Sequence, residues 1–165
     1  MKKNNNIITI FKIVLLILYI GWAVFLIIEA AMDGAASSNQ SGTVTEIVVD
    51  TVNSIAGKEV MQNNEKTQLI TRKLVGHFLS FTLLGVFSSL TYFLFMKKRL
   101  WLPMIINFAA AFAFAALTEF IQSFKAGRSG NFVDICIDFG GFLVSGITIS
   151  IIFIIKHYKK SPIKE

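Results

Sequence analysis

Residues 132–155 read FVDICIDFGGFLVSGITISIIFII, an apolar run entered by two aspartates, Asp134 and Asp138, in its first turns. A membrane-spanning helix needs roughly 20 apolar residues, each rising about 1.5 Å, and this run is long enough. In hydrocarbon every backbone N–H and C=O must find an internal partner, and the run lacks the alternation of a barrel strand, so it reads as a helix. Ile7–Ala31, Leu74–Met96 and Leu100–Gln122 qualify on the same grounds. The sequence therefore predicts an all-α fold, a multi-pass membrane helical bundle of about four transmembrane helices. Composition agrees: 54% of the 165 residues are hydrophobic and 16% charged, and the mean hydropathy is +0.64, whereas soluble domains run at roughly 45–50% apolar even with glycine counted.

The charges mark the membrane edges. Lys2, Lys3 and Lys12, then Lys97, Lys98 and Arg99, then Lys156, Lys159, Lys160 and Lys164 fall at alternate ends of the runs, hence on one side of a four-pass chain. Basic residues in short loops stay in the cytoplasm, which predicts both termini inside and a multi-pass protein of the cell membrane. The division that follows is 1–31 as the first transmembrane helix, 32–71 as an extracellular loop, 72–157 as a three-helix transmembrane region and 158–165 as a cytoplasmic tail. Lys2, Lys3, Lys12 and the small residues Ala30, Ala31, Ala35 and Ala36 also fit a secretory signal peptide, but the length of the apolar run and its Tyr19 and Trp22 favour a lasting anchor. The +6 net charge reads as attraction to anionic membrane lipids, and nucleic acid is not an expected partner. Cys136 stands alone in the sequence, which excludes an internal disulfide or a CxxC redox pair.

Within the loop, Val44, Ile47, Val48, Val52 and Ile55 recur at steps of three and four, opposite Glu46, Asp50 and Asn53. That spacing predicts an amphipathic helix on the outer surface, begun by a Thr43–Glu46 capping box and resting on lipid headgroups or capping the bundle, with its acidic polar face favouring the cap. The polar run Ala36–Gly42 reads as a flexible connector.

Ionisable side chains in a spanning helix are costly unless they pair or work. Here they gather at one predicted depth near the outer surface: Arg72, Lys73 and His77 in the second helix, Glu119 and Gln122 in the third, Arg128 in the following turn, and Asp134 and Asp138 in the fourth. Spacings of three or four put Lys73 with His77, Glu119 with Gln122, and Asp134 with Asp138 on shared faces, so three helices can turn polar faces to one pocket. Plainer readings stand beside this one. Lys73 and Arg72 can snorkel to headgroups, Asp134 can serve the helix N-terminus, and Glu119 or Asp138 can pair with Arg128 as a structural brace. Glu29 reads as interfacial. His77, Glu119, Asp134 and Asp138 are groups able to ligate zinc or calcium, but no HExxH or HxH spacing occurs, so neither a metal nor another cofactor is expected, and no nucleophile elbow or phosphate-binding glycine loop is present. Gly127 reads as the end of the third helix, and Gly140, Gly141, Ser145 and Gly146 as a close-packing face.

Taken together, RKLVGHF at 72–78, EFIQ at 119–122, GRSG at 127–130 and DICIDFG at 134–140 resemble the signature of VanZ-like proteins, in the same order and at similar membrane positions. The resemblance covers about Arg72 to Gly146. It implies a small multi-pass protein of the cell envelope, with a name-giving relative associated with low-level resistance to teicoplanin, and His77, Glu119, Gln122, Arg128, Asp134 and Asp138 as its polar cluster. Thr118 stands where many relatives have an acidic residue, and Phe81 where they often have Tyr. The expected role is an outward-facing pocket for an envelope precursor or glycopeptide-like ligand, affecting antibiotic susceptibility. The alternatives are an intramembrane hydrolase or transferase, with His77 and Glu119 as acid and base, and a structural bundle.

Overall fold

A computed structural model describes residues 2–95 and 101–160, with side chains over 6–95, 101–102 and 104–156. The basic cluster Lys97, Lys98 and Arg99, and Lys164, lie outside the described residues, as do the side chains of Lys2, Lys3, Lys159 and Lys160. The chain runs as α1 (Lys2–Ala31), α2 (Gly34–Ala56), α3 (Glu65–Thr71), a π-helical segment (Arg72–Leu79), α4 (Ser80–Phe95), α5 (Trp101–Ser123) and α6 (Phe132–Lys160), with no strand among the described residues. From α3 through the π segment to α4 the helix is continuous. With Asn6–Ala31, Met104–Ser123 and Phe132–Lys156, this Glu65–Phe95 helix makes four helices long and apolar enough to cross a membrane.

Side-chain contacts fix their directions. Trp22 Nε1 donates to the Ser80 carbonyl at 2.9 Å, and Lys12 Nζ sits 5.0 Å over the Phe95 ring, so α1 runs antiparallel to the second span. Asn107 donates to Ser89 at 2.8 Å, while Glu119 lies 3.8 Å from His77, so α5 is antiparallel to it as well. Lys73 meets Asp134, His77 meets Asp138 and Phe93 stacks on Phe153, so α6 runs parallel. The four spans therefore alternate. One end gathers the C-termini of α1 and α5 with the start of the second span and of α6, and Lys12 and Lys156 lie toward the other.

Leu26, Phe81, Leu84, Ala111, Ala115 and Phe142 form the buried core. Only 11% of the most apolar window of α1 is buried, against 39% in the second span, which makes α1 peripheral and the second span central. Exposed isoleucines such as Ile7, Ile17, Ile105 and Ile151 offer lipid the apolar surface that a soluble protein would hide. The close-packing face on α6 forms at Gly141, where a Cβ would collide with the Phe78 carbonyl oxygen and where Thr82 donates to the Gly141 carbonyl at 3.1 Å. Gly140 has open space around it and is not part of that contact.

The region between the first two spans departs from expectation in three ways. Residues 36–42 are helical rather than a flexible connector, because Asp33 caps α2 by accepting the Ala36 N–H, and Gln68 donates to the Ser38 carbonyl at 2.8 Å. The helix therefore begins well before the expected Thr43–Glu46 box, and Thr43 Oγ1 donates to the Asn39 carbonyl inside it. Its buried residues are Ser37, Thr45 and Val49 and its Val44 reaches the cavity, whereas Ile47 and Ile55 are exposed, so only part of the expected apolar face is covered. Finally, the helix of the second span starts at Glu65, ahead of the apolar run at Leu74, since Asn64 accepts the Thr67 N–H and caps it.

Candidate functional site

The π segment carries three of the candidate residues. Its wider turn frees backbone groups that must be satisfied elsewhere. Ser80 Oγ accordingly donates to the Val75 carbonyl at 3.0 Å, and Trp22 takes the Ser80 carbonyl from α1. Because the π segment and α6 run parallel, two rungs join them: Lys73 Nζ to Asp134 Oδ1 at 2.7 Å and His77 Nδ1 to Asp138 Oδ1 at 3.0 Å. Lys73 thus has a specific partner and is not simply reaching for headgroups. Asp134 is held from its own helix as well, by Asn131 Nδ2 at 3.1 Å.

Glu119 is buried behind His77, its Oε1 3.8 Å from Nδ1. It accepts from Gln122 Nε2 at 2.9 Å and from the Asn131 backbone N–H at 3.0 Å, so α5 and the start of α6 are tied through one carboxylate. Gln122 in turn accepts from Arg128, whose other terminal nitrogen donates to the Glu29 carbonyl at 2.9 Å. The expected direct brace between Arg128 and Glu119 or Asp138 is therefore replaced by a relay through Gln122. Burial and the facing Arg72 lower the Arg128 pKa from its ordinary value, while Glu119, Glu29 and Asp134 act in the opposite sense. The turn that holds Arg128 is closed by Gly127 at φ 71°, a left-handed conformation that costs glycine little, and the Gly34 N–H donates to the Ala126 carbonyl to fasten α2 to it.

These residues surround a cavity of about 250 Å³. Trp22, Phe25, Leu26, Val75 and Phe81 give it an apolar side, and Arg72, His77, Gln122, Arg128 and Asp138 a polar one. Of the eight candidates, five border the cavity, Glu119 stands behind His77, and Lys73 and Asp134 pair off alongside. Arg72 Nε and Asp138 Oδ2 are buried without a hydrogen-bond partner among the described residues.

A sequence profile of the VanZ/LLP1 family matches residues 14–154. The chain belongs to the VanZ/LLP1 family. The match takes in α1 and α2 as well as the Arg72–Gly146 stretch on which the resemblance rests, so the helix carrying Trp22 and Glu29 belongs to the family unit. No curated protein and no solved structure gives a significant match. Thr118, buried with its hydroxyl donating to the Ala115 carbonyl, and Phe81, in the core, both reach the cavity.

Sequence reasoning missed Glu29. It lies at the cavity, accepts from Gln40 at 3.1 Å and offers its carbonyl to Arg128, rather than standing alone at the interface. The available signal was a lone acid at the end of an apolar run, without a cue to a partner 99 residues away.

Proposed function

We propose that the polar end of the bundle faces outward, and that its cavity binds an anionic amphiphilic component of the cell envelope, thereby affecting susceptibility to teicoplanin-type glycopeptides. The observation that carries this reading is the two-sided lining: aromatic and aliphatic groups from α1 and the second span face the Arg72 and Arg128 guanidiniums. Guanidinium forks suit phosphate or carboxylate, and the apolar side suits a lipid or hydrophobic substituent. At about 250 Å³ the cavity is smaller than the roughly 300–1,000 Å³ of typical small-molecule pockets. It suits one end of a ligand better than a whole glycopeptide, and so favours an envelope precursor as the occupant. The orientation rests on Lys12 and Lys156 at the opposite end and on the basic clusters of the sequence.

A second reading, an intramembrane hydrolase or transferase on a lipid-linked precursor, draws on one contact. His77 is oriented by Asp138 at 3.0 Å, the arrangement that makes an imidazole an effective base.

The test is susceptibility of cells that express the parent chain, His77→Ala or Glu119→Gln. Both variants should lose protection against teicoplanin-type antibiotics while membrane insertion and abundance stay near normal. Normal accumulation with undiminished protection, or a parent chain that never alters susceptibility or envelope composition, contradicts the proposal. Abundance falling in parallel with protection marks a structural cluster instead.

A further inference from the structure

We propose that His77, Glu119 and Asp138 form a site for one divalent transition-metal ion, Zn²⁺ by its donor set, in the wall of the cavity. This goes beyond binding of an amphiphile, and neither proposal depends on the other. One donor atom from each residue lies within 4.8 Å of the others, although the three come from the π segment, α5 and α6. His77 Nδ1 is 3.0 Å from Asp138 Oδ1 and 3.8 Å from Glu119 Oε1. Four donors about 2.0–2.1 Å from a tetrahedral Zn²⁺ stand about 3.3–3.4 Å apart, so these spacings bracket the requirement within a few tenths of an ångström.

An independent observation points the same way. Asp138 is 0% exposed and borders the cavity, yet its Oδ2 has no hydrogen-bond partner among the described residues. A buried carboxylate oxygen without a partner is costly, and a cation bound to the same carboxylate lowers that cost by neutralising the charge both oxygens share. Two carboxylates and a neutral imidazole balance the charge of a divalent ion, leaving a neutral group in apolar surroundings. Calcium takes six to eight oxygen ligands, a poor fit for three protein donors that include nitrogen. Gln122 and the Asn131 N–H already fix the Glu119 carboxylate, the kind of support that orients metal ligands. Three protein donors would leave a fourth position for a further ligand, and two of the three residues, His77 and Asp138, border the cavity. The sequence offers these residues as possible ligands along with Asp134 but no local ligand spacing, because they lie 42 and 19 residues apart (77 to 119 and 119 to 138) and meet only when three helices pack.

The full chain, purified in detergent with any affinity tag removed and stripped with a chelator, is titrated with Zn²⁺ alone and with Co²⁺ alone. About one ion per chain should remain after gel filtration, thermal unfolding should move up with Zn²⁺ concentration, and Co²⁺ should give the strong visible absorption of a four-coordinate N/O site. His77→Ala, Glu119→Gln and Asp138→Asn should each weaken binding about tenfold or more, whereas Lys73→Met, outside the triad, should not. The proposal is overturned if the parent chain retains no metal, or if all three variants bind as tightly as the parent. Should a variant fail to fold, the stoichiometry, stabilisation and cobalt spectrum of the parent decide the question.

Discussion

Lys73 and His77 each meet an aspartate 61 residues further on, and that shared offset is the register between the π segment and α6. Lys73 is partly exposed and Asp134 almost fully buried, so loss of the lysine leaves a buried carboxylate with only Asn131 to satisfy it. A double-mutant cycle with Lys73→Met and Asp134→Asn, read by thermal unfolding in detergent, should show coupling of about 0.5–3 kcal/mol; additive losses would mean that the pair contributes nothing. Arg128 and Glu119 do not touch, but both hold Gln122. Arg128→Met and Glu119→Gln should therefore be coupled in the parent chain and become additive once Gln122→Ala is introduced. The eight polar residues were legible in the sequence because helical spacing tells which side chains share a face. Their partners were not, because spacing within one helix is silent about which residue on another helix comes opposite. Glu29 and the Gln122 relay were lost for that reason.

At the scale of elements, the four spans could be read directly, since hydrophobic length is a property of one segment. The π segment and the first part of α2 could not. A π turn has no compositional mark in RKLVGHF, and α2 begins in a run of Ser, Asn, Gln and Gly that intrinsic propensity assigns to a linker; capping by Asp33 and contacts to α3 override it. The apolar spacing of α2 correctly indicated a helix but placed its buried face only in part: Val44 reaches the cavity, whereas Ser37, Thr45 and Val49 are buried and Ile47, Val52 and Ile55 are exposed. Close approach of α6 to the second span depends on Gly141. Gly141→Ala forces a methyl group against the Phe78 carbonyl and should destabilise by about 1–3 kcal/mol. Gly140→Ala, with open space around it, should leave the unfolding temperature nearly unchanged. Equal effects at the two positions would show that the helices do not approach as described.

For the whole molecule, alternation of the spans puts the polar cluster and α2 at one end of the bundle, away from Lys12 and Lys156, and the proposed orientation makes that end extracellular. With Cys136 replaced by Ser, an impermeant thiol reagent applied to intact cells should label Ser129→Cys and spare Lys98→Cys until the cells are opened; the reverse pattern inverts the topology. The central claim is that the cavity holds an anionic amphiphile between its two arginines and its apolar wall. The most direct measurement is native mass spectrometry of the full chain released from membranes, comparing the parent with the Arg72→Gln, Arg128→Gln double variant and with Lys73→Met, which lies outside the cavity. The account predicts one bound anionic amphiphile on the parent and on Lys73→Met, and its loss from the double variant while that variant remains folded. A parent chain that carries no such molecule, or a folded double variant that keeps it, contradicts the account.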